Sequence, residues 1–410
     1  FSYRGKTVDM QPGQHVELSL DLDLENPEST SEASDDDTNA RMLLTGAPGH
    51  EDYFQIHLID GQTGRGVPLI EVRSPTQTYI TDNQGVVAFY ELDHMNQEIN
   101  FEIGGHGYEF LEESVSLVTT PGSGATLNVD RRNIAQRLYR ITGSGLYSES
   151  RRLGLSTPLE KPLFNADVIG QDSAFAIPYQ SELFWIWGDT LRLRKPLGNF
   201  QVTAATSLLP LQGGVDPWQG VDLTYFMDES GSFVKKMAPV ERVPGPGACW
   251  FQSLTTLGLA PEESLYAFYG RFENMLPERK GLAKYDEVNE VFNTVLELPA
   301  DALIPDGQSF TQVGDDYIYY GNNMRVLRDE NALLDPTTYE VYSALDGNGG
   351  LLRDNNGRPA YAWRAGAQPV DKAMLESGMV GADEVLFGHV RDVDSDAMPL
   401  IHNNNGVGPN

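Results

Sequence analysis

Gly170-Gln-Asp-Ser-Ala-Phe-Ala-Ile-Pro-Tyr-Gln-Ser-Glu-Leu-Phe-Trp-Ile-Trp-Gly-Asp-Thr190 sets two short apolar runs on either side of a polar break. Ser173 to Pro178 and Leu183 to Trp187 read as the strands of a β-hairpin, with Tyr179 to Glu182 as its turn. Antiparallel pairing places the start of one strand beside the end of the next, so Asp172 and Asp189 are expected as neighbours at one rim of a sheet. Two carboxylates at a rim, backed by aromatics, suit hydrolysis of a glycosidic bond. Gly188 permits close backbone approach, and Thr190 can hydrogen-bond a carboxylate. The bland alternative is that both aspartates cap turns.

Downstream, strand-like runs with aromatic ends recur. Phe200–Ala205 and Leu223–Phe226 join the hairpin as a first set. Ala248–Phe251, Ser264–Tyr269, Gly281–Tyr285 and Val291–Val295 make a second. Ser309–Val313, Tyr317–Tyr320, Met324–Leu327, Tyr339–Tyr342 and Tyr361–Trp363 make a third. Sets of about four strands, spaced by about 70 residues, predict propeller blades. Closure needs at least about four blades, so residues 165–410 are expected to form an incomplete propeller, short at its C-terminal end.

Upstream, strands and turns alternate between residues 50 and 130. Tyr53–Ile59, Val67–Val72, Thr78–Thr81, Val86–Phe89, Asn100–Ile103 and Ala125–Val129 predict a β-sandwich of about 80 residues. Residues 131–164 are a connector, and Arg131–Tyr139 has the most helix-like pattern in the chain. Thr142-Gly-Ser-Gly-Leu146 breaks it without a following helix, which argues against a phosphate-cradling loop. Residues 25–45 are acidic, Ser-rich and poor in hydrophobic anchors, hence a disordered linker. Residues 1–24, with the alternating Val16–Leu24, are expected to be the closing strands of an upstream domain. The fold class is therefore all-β: a small sandwich followed by a propeller.

Composition narrows the function. A net charge of −30 and a pI near 4.4 disfavour nucleic acid, because phosphate binding needs clustered Lys and Arg. The lone Cys249 excludes internal disulfides and multi-thiolate zinc, and its neighbours predict a packing role. No apolar run is long enough for a membrane span. His94 and His106 have no partner at ligand spacing, so no metal site is assigned. Calcium remains the one cofactor considered, at Asp35–Asp37, Asp346–Asn348 or Asp392–Asp396, although none of these carries a full ligand loop. The chain begins at Phe1 without methionine, which we read as processing or trimming, and the acidity fits an extracellular or periplasmic setting.

Two resemblances accompany this reading. Asp60-Gly-Gln-Thr-Gly-Arg-Gly-Val-Pro68 with Thr81-Asp-Asn-Gln-Gly85 resembles the carboxypeptidase regulatory-like domain of the transthyretin type. It implies an accessory module without chemistry of its own. Gly170-Gln-Asp-Ser173 with Phe184-Trp-Ile-Trp-Gly-Asp-Thr190 resembles β-propeller proteins bearing a G-x-D…[FW]GDT first-blade signature. Endo-D-arabinanase-like glycoside hydrolases are among them, and the resemblance makes Asp172 and Asp189 the catalytic carboxylates. Residues 131–363 also look like an uncharacterised propeller family of environmental bacteria, through Asn133–Gly143 and Gly170–Ser173.

The first reading is accordingly a glycoside hydrolase acting on a polysaccharide or oligosaccharide. Asp172 is favoured as the protonated acid because its C-terminal flank is apolar. Gln171, Trp187, Thr190, Glu273 and Asn322 are expected to contact substrate, and Trp185, Trp187 and Trp250 offer flat faces to a sugar ring. Core packing is the competing reading for the tryptophans, and a solvated loop for Glu273. Two other functions stay open: a non-catalytic propeller binding glycan or protein, and a polysaccharide lyase, for which residues 165–410 offer only His389 and His402.

Overall fold

The structure is a computed structural model that describes residues 2–3, 6–7, 48–112, 114–193, 201–370, 372–381, 389–390 and 398–399. The chain divides into residues 1–47 and residues 48–410. In the first unit, β1 (Ser2–Tyr3) pairs antiparallel with β2 (Lys6–Thr7). The expected Val16–Leu24 strand and the 25–45 linker lie outside the described residues.

The second unit opens with a sandwich. Its strands are β3 (Phe54–Asp60), β4 (Glu71–Arg73), β5 (Thr78–Ile80), β6 (Val86–Phe89), β7 (Glu98–Gly104), β8 (Tyr108–Glu109), β9 (Ser114–Val118) and β10 (Gly124–Arg131). They form two four-stranded sheets, ordered β6-β3-β10-β8 and β5-β4-β7-β9. Burial alternates along β3, so Phe54, Ile56 and Leu58 point inward to meet Val72, Val87, Phe89 and Phe101. The expected Val67–Val72 strand is shorter than its apolar run. Thr81 Oγ1 donates to Val67 O, and Leu69 has a φ of 59°, so the chain turns before β4 begins.

The expected helix over Arg131–Tyr139 does not form. Arg131 ends β10, Ala135 N donates to Asn133 Oδ1 in an Asx turn, and Arg137 donates to the carbonyls of Pro68, Leu69 and His106. Ile134 is 99% exposed, so the apolar residues that mimicked a helical face have no core to cover. The one helix of the connector is α1 (Ser148–Arg152). It is tied to the sandwich by Ser150 N on Asp82 and Glu149 on Ala88 N.

Three antiparallel sheets follow. β11 (Val168–Asp172) pairs with β14 (Asp189–Arg192) as a short ribbon flanking, in sequence, the hairpin of the first. That sheet holds β12 (Phe175–Tyr179), β13 (Glu182–Trp187), β15 (Thr203–Leu208) and β16 (Thr224–Tyr225), in sequence order. The hairpin turn is Gln180-Ser181, both at positive φ, as a two-residue turn between twisted strands requires. The second sheet is β17 (Ala248–Leu257), β18 (Ser264–Glu273), β19 (Leu276–Asp286) and β20 (Val291–Leu298). The third is β21 (Phe310–Thr311), β22 (Tyr317–Tyr319), β23 (Met324–Leu327), β24 (Glu340–Ser343) and β25 (Ala362–Ala365).

The middle sheet is covered on both faces. Leu265, Ala267 and Tyr269 of β18 meet Ile177, Phe184 and Ile186, whereas Tyr266 and Phe268 meet Ile318, Met324 and Val341. That is why β18 reads as an unbroken apolar run, not an alternating one. The architecture is all-β, a sandwich followed by blade-like meanders, and among the described residues no sheet closes into a ring. Cys249 is buried between the first two sheets, and burial pushes its thiol up to about 12, as suits a packing residue. No helix among the described residues is long and apolar enough to cross a membrane.

Candidate active site

The β11–β14 ribbon sets Asp172 directly opposite Asp189. Cross-strand partners share a face, and their Cβ atoms lie roughly 4.5–5.5 Å apart. The two carboxylates therefore stand side by side at one rim. They are unequal. Asp172 is exposed, and its Oδ1 accepts the Ser173 N–H at 2.6 Å. Asp189 is half-buried, and its Oδ1 accepts the indole N–H of Trp250 at 2.6 Å. Desolvation raises the Asp189 carboxyl above the ordinary aspartate range; the Trp250 bond opposes this, and the Asp172 charge adds to it. Burial thus falls on Asp189, against the expectation that Asp172 is the protonated partner. The reason is geometric: Trp250 arrives from the second sheet to cover Asp189, while the residues after Asp172 stay open.

Local strain accompanies the pair. Ser173, next to Asp172, holds a φ of 59°, a left-handed conformation that costs a non-glycine residue about 1–3 kcal/mol. Gly188, next to Asp189, faces it: a Cβ added there would stand 3.2 Å from Ser173 Cβ and 3.4 Å from Trp250 Cδ1. Gly188→Ala should crowd Ser173 and set the new methyl against the edge of the Trp250 ring. We expect about 1–3 kcal/mol of lost stability, the usual cost of overpacking, and a shift of indole fluorescence, both read in one urea titration. Unchanged stability and emission would show that this contact is slack.

The same period of two sends the intervening residues the other way. Gln171 and Thr190, register partners in the ribbon, face the interior. Gln171 Nε2 donates to Thr203 Oγ1 at 3.0 Å and to Thr190 Oγ1 at 3.3 Å, and its Oε1 accepts the Tyr225 hydroxyl at 2.6 Å. Both were expected on the substrate; both belong to a closed network beneath the rim. Trp187 is likewise removed from any sugar. It is 1% exposed, stacked on Trp185 with ring planes 8° apart and packed on Tyr225. Trp185 is buried too, its Nε1 donating to Ser207 Oγ at 2.8 Å. Of the three tryptophans, Trp250 alone borders the acids.

The meander returns later residues to this rim. Phe272, near the end of β18, packs on Trp250 with ring centroids 4.7 Å apart, and Glu273 follows it, exposed. Asn322 reaches the same end in the turn after β22, but it is buried and its Nδ2 donates to Ile304 O at 2.9 Å. That bond holds a loop, and Asn322 Oδ1 is buried without a donor among the described residues. The segment before β21 bridges the sheets instead: Gly307 N donates to Gln252 O, and Gln308 Nε2 donates to Ala176 O. Phe272 and Gln308 had no distinguishing pattern in the sequence; their place follows from sheet stacking alone.

Asp346, considered for calcium, spends Oδ1 on the N–H groups of Asn348 and Gly350, both at 2.8 Å, and so caps its own turn. Asp35–Asp37 and Asp392–Asp396 lie outside the described residues. Among the described residues, no group of three or more His, Cys, Asp or Glu side chains gathers to hold a metal ion. The chain matches no protein-family model and none of the curated proteins compared with it.

Proposed function

We propose that the chain hydrolyses glycosidic bonds, with Asp189 as the proton donor and Asp172 as the nucleophile. The observation that carries this reading is the pairing of Asp172 with Asp189 across one ribbon, with only Asp189 covered by Trp250. A half-buried carboxyl with a raised pKa beside an exposed one is the division of labour that acid and nucleophile require. Cross-strand spacing favours the short carboxyl separation of retaining enzymes, about 5–5.5 Å, over the wider gap that admits a water. Asp189 would protonate the leaving oxygen while Asp172 attacks the anomeric carbon. Water would then release the sugar, with Asp189 now acting as base. Trp250 and Phe272 offer the adjoining apolar surface for a sugar ring. A polysaccharide or oligosaccharide substrate and an extracellular or periplasmic setting belong to the same proposal.

The test is a panel of plant and bacterial polysaccharides scored for new reducing ends, with the anomer of the first product read by NMR. Release of reducing ends with retained configuration supports the assignment. Ultraviolet-absorbing unsaturated products would identify a lyase, and glycan binding without any product a binding module.

A further inference from the structure

A second concavity, remote from the acid pair in sequence and built by other elements, lies where the sandwich, the connector and the first blade meet. It encloses about 400 Å³, within the range of small-molecule sites. Its walls are pinned. Arg65 of the sandwich donates to Pro217 O at 2.7 Å and to Arg137 O at 2.8 Å. Asn83 exchanges hydrogen bonds with the backbone of Arg140 at 2.8 and 3.0 Å, and Tyr147 donates to Gln219 O at 2.6 Å. The space is therefore formed before any ligand arrives.

Its lining has a chemistry of its own. Trp218 stands 66% exposed at the edge, its ring 5.9 Å from the Arg65 guanidinium carbon, and Tyr139 adds a second aromatic ring. His57 and Gln55 project from β3, and burial lowers the His57 pKa while the nearby Asp82 charge opposes this. Gln84 gives its amide N–H to Ser156 O, while its Oε1 has no donor among the described residues. Arg65, 7% exposed, likewise leaves its Nε without an acceptor.

Charge decides the ligand class. No Asp or Glu lines this pocket, although the chain carries 59 acidic residues against 29 basic ones. Four other concavities each contain at least one carboxylate. A cationic ligand would find no carboxylate in the lining, and the Arg65 guanidinium already gives both terminal nitrogens to the Pro217 and Arg137 carbonyls. Aromatic rings beside neutral donors and acceptors suit a polyhydroxylated, uncharged molecule. We infer that this pocket binds one or two residues of a neutral glycan chain, independently of the acid pair. The choice of glycan as ligand rests on the carbohydrate reading above; the pocket itself does not.

The experiment uses the whole chain carrying Asp172→Asn, so that no probe is consumed. It is titrated calorimetrically with arabino-, xylo- and cello-oligosaccharides and with oligogalacturonate. One neutral oligosaccharide should bind, and Trp218→Ala should weaken that binding about tenfold or more, as truncating a hot-spot aromatic does. Ser156→Trp, an exposed position at the mouth, should block it. Both sites tolerate substitution because neither side chain is buried. Equal affinity in both variants, or no binding by any neutral sugar, would overturn the inference. So would tighter binding of oligogalacturonate than of every neutral probe. Reducing-end release by the parent without pocket binding would sink this inference and leave the hydrolase standing. Pocket binding without turnover on the polysaccharide panel would do the reverse.

Discussion

Asp189→Asn should lower turnover on a cleaved polysaccharide by roughly 10²–10⁴-fold, the contribution of a positioned general acid, while the chain stays folded. Asn retains a carbonyl for the Trp250 indole and loses only the transferable proton. Stability should move the other way. Burial raises the Asp189 pKa in the folded state, so the native chain binds this proton more tightly than the unfolded chain does. Stability from this group is therefore greatest at low pH and is lost as pH rises from the unfolded to the raised folded pKa. Above the raised pKa the parent carries that loss, and there Asp189→Asn should be at least as stable as the parent in urea. Asp172→Asn should also abolish turnover, but as loss of the nucleophile. Added azide should restore Asp172→Ala by forming a glycosyl azide of inverted configuration, because truncating the side chain leaves room for a small anion. If both variants keep parental rates, the aspartates are turn caps and the hydrolase reading falls.

Trp187→Ala carries the second large effect, and it is one of stability. The ring is buried against Trp185 and Tyr225, and truncating a packed tryptophan costs about 3–5 kcal/mol. Its Nε1 is buried with no acceptor among the described residues, so part of the native cost is already present. Trp187→Phe removes that orphan donor and keeps most of the ring, and should therefore cost far less than Trp187→Ala. Urea midpoints check the order. A sugar platform would behave differently: both variants would unfold like the parent, and KM would rise.

The hairpin of residues 170–190 was legible because its apolar runs are short, its turn is polar and its ends are chemically distinct. The sandwich and the three strand sets followed from the same periodicity. The helix expected at 131–139 failed because a helical spacing of apolar residues gains nothing where no neighbour covers them, as Ile134 shows. Within the ribbon, alternation alone assigns Asp172 and Asp189 to one face and Gln171 and Thr190 to the other. Sequence adjacency to the acids drew Gln171, Trp187 and Thr190 into the expected site, whereas the pleat directs Gln171 and Thr190 inward and packing on Trp185 and Tyr225 buries Trp187. Which acid is desolvated was not legible at all. It depends on Trp250, 61 residues beyond Asp189, swinging in from the next sheet.

Carbon-detected NMR titration of the Asp189 carboxyl, in the parent and in Asp172→Asn, is the most direct measurement on the coupled pair. The account predicts an Asp189 midpoint above the ordinary aspartate value of about 3.9, falling when the neighbouring charge is removed. A midpoint at or below that value, unmoved by Asp172→Asn, would mean that the two carboxylates do not sense each other, and the proposed division into acid and nucleophile would be wrong.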